Sequence, residues 1–226
     1  MSAFSEPDFC KKNKRISNKL NVIQTKKLIK TLVEKKIYFI FFSSEQIFNG
    51  LKGKYCEKDL PKPINLYGKQ KYKIEKFIKK ITRNYCIFRI AKTYSNELSD
   101  NTLISNFLKK SKKKIHINAA NDQQFSPLYV LDLVKITNLF LNKKIKGIFN
   151  IGGKEKVNRY NLYKNFNNYL IDNKKYAQVK LYKKKLKDFD FYEKRPSNLT
   201  FNIKKLTKEL NFNLVSIKQV FLKIIK

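Results

Sequence analysis

Tyr67 and Lys71 stand four residues apart in Tyr67-Gly68-Lys69-Gln70-Lys71. On a helix that spacing puts both side chains on one face. An ammonium beside a phenol favours the phenolate and lowers the tyrosine pKa from its reference of about 10. Upstream, the apolar, aromatic-rich run Phe41-Phe42 ends in Ser43-Ser44-Glu45. A hydroxyl at the end of a neighbouring strand could hold a carbonyl oxygen against the phenol. Together these side chains would make a proton donor for a carbonyl undergoing reduction. The Tyr-Lys spacing alone is a weak signal, because a lysine-rich chain produces it by chance. The order of apolar run, Ser-Ser, Pro-containing loop and Tyr-Lys helix carries more.

That chemistry needs a strand ending near Ser44 and a helix opening just before Tyr67. Residues 37–42 are continuously apolar and rich in aromatic and β-branched types, as a buried parallel strand is. Pro61 and Pro63 keep the following loop open until Asn65, and 65–81 is predicted helical. Residues 18–34 carry Leu20, Ile23, Leu28, Ile29, Leu32 and Val33 at helical spacing, while 1–14 read as a loop. Further strands are predicted at 85–90, 115–118, 147–151 and 179–181. Further helices are predicted at 103–110, 128–142, 160–171, 203–210 and 216–225. Strands alternating with helices of this length argue for a parallel α/β sheet.

Composition narrows the classes. A chain of 226 residues can bury one good core and a small second lobe. At 42% hydrophobic, with 18 Phe and 13 Tyr, it is globular rather than disordered. No run approaches the roughly 18 apolar residues of a membrane span, and the opening MSAFSEPDFC does not read as a signal peptide. Cys10, Cys56 and Cys86 are scattered, which fits reduced thiols in a cytoplasmic protein. His116 is the single histidine, so no metal site is expected; it reads as a strand-end residue. The net charge is +34, yet only five of the 51 basic residues are Arg, the preferred reader of phosphate forks and base edges. The lysines run from end to end, with short clusters at Lys112-Lys113-Lys114 and Lys183-Lys184-Lys185. General attraction to anionic ligands follows from this, rather than specific nucleic-acid binding.

Several segments extend the pattern. They are Asn21 in Leu20-Asn21-Val22, the run Ser43-Ser44-Glu45-Gln46-Ile47-Phe48-Asn49-Gly50, and Pro63-Ile64-Asn65-Leu66-Tyr67-Gly68-Lys69-Gln70-Lys71 with Glu75 one turn later. Downstream stand Ile87-Phe88-Arg89-Ile90, Asn121-Asp122-Gln123-Gln124-Phe125-Ser126-Pro127 followed by Asp132, Gly147-Ile148-Phe149-Asn150-Ile151-Gly152-Gly153, and Arg195-Pro196-Ser197-Asn198. In this order they resemble the extended short-chain dehydrogenase/reductase family, in its dTDP-4-dehydrorhamnose reductase-like, sugar-nucleotide-binding branch. Glu45 stands where that branch has Asp, and Gln46 where it usually has Tyr.

The resemblance implies a Rossmann-like parallel sheet with a small C-terminal substrate-binding lobe. Residues 1–94 would carry the remaining cofactor-binding part. Residues 95–226 would mix the substrate lobe with returning Rossmann elements. It implies Ser44, Tyr67 and Lys71 as catalytic residues, with the Asn21 backbone holding a water linked to Lys71. NADH or NADPH would meet Tyr67, Lys71, Ala3 and Ser43. The sugar-nucleotide substrate would meet Glu45, Gln46, Asp122, Gln123 and Arg195, the last at the phosphates. The reaction implied is hydride transfer to the keto carbon of a 4-keto sugar nucleotide, in polysaccharide biosynthesis.

One family feature is absent from these 226 residues. No Gly-x-x-Gly-x-x-Gly run follows a first strand, so the usual pyrophosphate cradle is missing. By resemblance the chain opens where the family's fourth strand ends, and Ser2-Ala3-Phe4 matches the turn there. The expectation is an N-terminally truncated fold, with a second copy or a separate N-terminal fragment as protein partner. Two other classes stay open: a non-catalytic sugar-nucleotide-binding or regulatory homologue, and a basic nucleic-acid-binding protein. The retained Ser44, Tyr67 and Lys71 argue against the former, and the scattered, Arg-poor charge against the latter.

Overall fold

A computed structural model describes residues 3–95, 97, 100, 102–113, 116–172 and 179–225. Ser2, Lys114 and Ile115, which the sequence reading used, lie outside the described residues. The stretch read as a loop contains a short helix, α1 (Pro7–Lys12). Its signal is Glu6-Pro7: the Glu6 carboxylate accepts the Phe9 N–H, and proline suits the first helical position. Helix α2 (Lys14–Asn18) then runs through a π-helical turn, Lys19–Gln24, into α3 (Thr25–Glu34).

Strand β1 (Phe39–Ser44) begins and ends two residues later than its apolar run, because pairing with the next strand continues to Ser44. Helix α4 (Leu66–Ile81) is capped by Asn65, whose Oδ1 accepts the Gly68 N–H at 2.9 Å. Then follow β2 (Tyr85–Ile90), β3 (Thr93–Tyr94), α5 (Leu103–Lys112), β4 (Ile117–Ala120), β5 (Gln124–Phe125), β6 (Leu128–Tyr129), α6 (Val130–Lys143), β7 (Gly147–Ile151), β8 (Val157–Asn158) and α7 (Arg159–Asp172). The chain ends with β9 (Leu181–Lys184), α8 (Lys204–Glu209) and α9 (Ile217–Ile225). The strand expected at 179–181 lies later because the Asn167 amide takes both backbone groups of Val179, each at 3.1 Å. The helix expected from 128 starts at Val130, since Leu128 and Tyr129 pair with β3.

The main sheet has the order β1-β2-β7, all parallel, with Phe42, Phe88 and Phe149 in register. One face packs Phe41 and Ile87 against Val22, Ile29, Ile74 and Ile78 of the α2–α3 segment and α4. The other packs Phe88, Phe149 and Ile151 against Ile136 and Phe140 of α6 and Leu206 of α8. A second core joins α5, β4, α7 and α9 through Ile104, Phe107, Ile117, Phe166, Leu170 and Phe221. Between the two cores, at the C-terminal ends of β1 and β2, lies a cleft, the usual ligand position of an open α/β sheet. Among the described residues no helix is long and apolar enough to cross a membrane, and no group of His, Cys, Asp and Glu could hold a metal ion.

Candidate active site

The cleft has a volume of about 1070 Å³, and its lining includes Ser44, Tyr67 and Lys71. Ser44 ends β1, and its Oγ accepts the Gln46 N–H at 3.2 Å, closing a 3-10 turn over Glu45–Ile47. Helix α4 meets that turn at Gly68, where a Cβ would land on the Gln46 carbonyl oxygen. This close approach seats Tyr67 in the first turn of α4, on the same cleft wall as Ser44. Lys71 follows one turn later. Its Nζ donates to the Phe42 carbonyl at 2.8 Å and lies 5.8 Å from the Tyr67 ring centroid. The three side chains therefore converge as the spacing required.

Their electrostatics differ from the expectation. Burial pushes the Tyr67 phenol up to about 12, and the influence of the Ser44 hydroxyl offsets only part of that. Burial likewise holds Lys71 down to about 8. The ammonium leans over the aromatic faces of Tyr67 and Phe41 and bonds a carbonyl, so it does not depress the phenol.

Asn21 sits in the π-helical turn, a feature common at functional sites. Its amide donates to the Phe4 carbonyl at 2.9 Å and to Gln70 Oε1 at 2.8 Å, while Oδ1 accepts the Phe4 N–H at 3.0 Å. The side chain thus ties the Ala3-Phe4 segment to α4, and Ala3 borders the cleft. Ser43 also borders the cleft. Its hydroxyl donates to Glu75 Oε1 at 2.6 Å, inside a fully buried Glu75–Arg89 ion pair of 2.9 Å. That hydroxyl is therefore engaged with the buried ion pair.

The residues assigned to substrate divide. Glu45, Gln46, Gln123 and Arg195 line the cleft; Asp122 does not, because its Oδ1 accepts the Leu186 N–H at 2.7 Å. Gln46 accepts from Asn65 Nδ2 at 2.8 Å, and Gln123 donates to the Pro196 carbonyl at 3.3 Å. Arg195 is occupied: its guanidinium pairs with Glu6 and Asp8, each at 2.9 Å, and stacks over Phe191. Glu45 is buried, and its Oε2 has no hydrogen-bond partner among the described residues. Burial pushes its carboxyl up to about 7, against the pull of Lys92 and Arg159. Lys92, Lys110 and Arg159 also line the cleft, and sequence reasoning missed all three. For Arg159 a signal existed, since it is one of only five arginines and opens the helix after a Gly-Gly turn.

The RmlD substrate binding domain matches over residues 1–226. The chain belongs to that family. Among curated relatives, methionine adenosyltransferase 2 subunit beta of Xenopus laevis is 26% identical over 168 residues, which cover 71% of this chain and 50% of the relative. The chain thus spans about half the length of the curated relatives it matches. Among solved structures, dTDP-4-dehydrorhamnose reductase from Bacillus anthracis, in complex with NADP, superposes with a TM-score of 0.88 at 21% identity, over 98% of this chain and 77% of that one. UDP-glucose 4-epimerase from Thermotoga maritima, with UDP-glucose, superposes with a TM-score of 0.79 at 18% identity, over 100% and 74%. At these identities the likeness is one of fold: the RmlD-like chain is a Rossmann-like α/β protein.

Proposed function

We propose that the chain carries the proton-transfer set and the sugar-nucleotide cleft of an NAD(P)-dependent reductase acting on a 4-keto sugar nucleotide. The observation that supports this most directly is that Ser44, Tyr67 and Lys71 line one cleft, with Lys71 one helical turn after Tyr67. Ser44 would hold the carbonyl oxygen and Tyr67 would give it a proton. Lys71 would hold the nicotinamide ribose. A nicotinamide cofactor supplies the hydride in this chemistry. The residues fit its nicotinamide end. The pyrophosphate end finds no cradle among them, because Gly50, Gly53, Gly68, Gly152 and Gly153 are packed against other segments and none stands in a Gly-rich run. We propose that a further segment, from a partner chain or a longer form of this one, supplies that cradle along the open edge of β1.

The similarity to a protein named as a subunit favours a second reading, a non-catalytic sugar-nucleotide-binding homologue. The test is to supply NADPH and a dTDP-4-keto-6-deoxy sugar to the chain, with and without a strand–Gly-loop–helix segment fused ahead of it, and to follow nicotinamide oxidation. Turnover that disappears in Tyr67→Phe supports the reductase. Sugar-nucleotide binding with bound NADPH and no turnover supports the second reading.

A further inference from the structure

Helix α4 begins one residue before Tyr67, so the placement of the phenol is that of the helix's first turn. The opening N–H groups of a helix have no partner within it. Asn65 closes part of this turn, its Oδ1 accepting the Gly68 N–H at 2.9 Å and its carbonyl the Lys69 N–H at 3.1 Å. The Leu66 N–H goes elsewhere. It donates to Glu193 Oε2 at 2.6 Å, across 127 residues of sequence. Glu193 is buried, yet it is not part of the cleft lining. Its own backbone N–H donates to Asp8 Oδ1 of α1 at 2.8 Å, and the neighbouring Lys194 carbonyl accepts Asn65 Nδ2 at 3.4 Å. The other carboxylate oxygen, Oε1, pairs with Lys11 at 3.2 Å. The Lys11 side chain is 48% exposed, and ion pairs with so exposed a partner contribute little. The bond to Leu66 is the stronger one, because it is charge-assisted and set against the positive end of the helix.

Resting on the reductase reading, we propose that Glu193 is a positioning residue for Tyr67. Its carboxylate clamps the first turn of α4 to the 193–195 segment and, through Asp8 and Lys11, to α1. The clamp fixes where the phenol stands relative to a substrate carbonyl at Ser44. Glu193 acts through the Leu66 N–H rather than on the substrate, and Leu66 is one peptide away from Tyr67. Helix ends fray first, so an unclamped first turn is where the phenol would lose its place. A displacement of about 1 Å costs on the order of 10²-fold in rate.

The experiment follows amide hydrogen exchange by NMR in the full chain, with urea melts beside it. Glu193→Ala should speed exchange at Gly68 and Lys69 by roughly tenfold or more, the effect of losing a charge-assisted hydrogen bond. Ile74 and Ile78, in later turns of α4, should exchange as before. Glu193→Gln keeps an oxygen for the Leu66 N–H and should restore most of the protection, and Lys11→Gln should leave it intact. In the chain fused to a cofactor-binding segment, Glu193→Ala should lower kcat by roughly tenfold to a hundredfold with KM held within about twofold, and Glu193→Gln should recover most of that loss. Unchanged exchange at Gly68 and Lys69 would overturn the inference, as would equally faster exchange all along α4, which marks a general loss of stability. Loosened exchange with unchanged kcat would overturn it too, since Tyr67 would then not depend on the clamp. No turnover by the parent chain would sink the reductase reading alone, and the exchange rates would still decide the clamp.

Discussion

Tyr67 receives no help from Lys71 as a charge; burial wins, and the phenol sits at about 12. For an acid this is an asset. The phenol stays protonated throughout the neutral range, ready to donate to a developing alkoxide once a substrate carbonyl lies against Ser44. Removing the hydroxyl alone, in Tyr67→Phe, should lower kcat by about 10²–10⁴-fold while sugar-nucleotide affinity holds. Steady-state kinetics beside calorimetry separate the two. Glu45 permits a different test. Its native carboxyl titrates at about 7 against an ordinary 4.5, so the folded state binds more protons between those values. The stability it contributes is fully present below pH 4.5 and is lost as pH rises through 7. Glu45→Gln should therefore be more stable than the parent chain at pH 8, by on the order of 3 kcal/mol, with the gap closing below pH 4.5. Urea melts across that range would show it, and a gap independent of pH would remove Glu45 as the titrating group.

At the level of elements, the site depends on how α4 is held to β1 and β2. Three features hold it: Asn65 at its N-cap, Gly68 against the Gln46 carbonyl, and Glu75, which bonds Ser43 on β1 and Arg89 on β2. Breaking the last of these leaves a buried carboxylate without its ion-pair partner. Arg89→Ala should cost about 3–5 kcal/mol in chemical denaturation, whereas replacing both partners with apolar residues of similar volume should cost much less. An Arg89→Ala chain as stable as the parent would show that the pair does not pin the helix. Most of this frame could be read from the sequence, because apolar runs and helical periodicity mark buried faces, as at 85–90 and 65–81. What could not be read depends on tertiary partners. The π-helical turn at Lys19–Gln24 has no periodicity of its own, and β3, β5, β6 and β8 are two-residue strands defined only by what they pair with. In the site, Tyr67, Lys71 and Ser44 were legible because they lie close in the chain. Lys92 and Arg159 were not, since 66 intervening residues separate them and only the fold brings them to the cleft. Asp122 and Arg195 matched a motif, yet their side chains are spent on Leu186 and on Glu6 and Asp8.

For the molecule as a whole, the weak point is the open side of its main sheet. Strand β1 pairs only with β2 among the described residues, so its other edge carries no strand partner. The apolar surface runs to that edge: Phe42 stacks on Phe88 yet is 42% exposed, and Ile37 is 44% exposed. Edges of this kind invite association, while a net charge of +34 opposes it by self-repulsion. Salt screens that repulsion but not the apolar contact, because the Debye length falls to about 8 Å at physiological ionic strength. The chain should therefore associate more as salt is raised. Without a pyrophosphate cradle it should also bind neither NADH nor NADPH tightly. Light scattering across a salt series and titration of nicotinamide fluorescence check the two halves. Addition of a segment carrying a strand for the β1 edge and a Gly-rich turn should reverse both. If instead the chain alone remains a monodisperse monomer and binds either dinucleotide tightly at one equivalent, the open edge is not a docking site for that segment, and the pyrophosphate must lie on residues already within these 226.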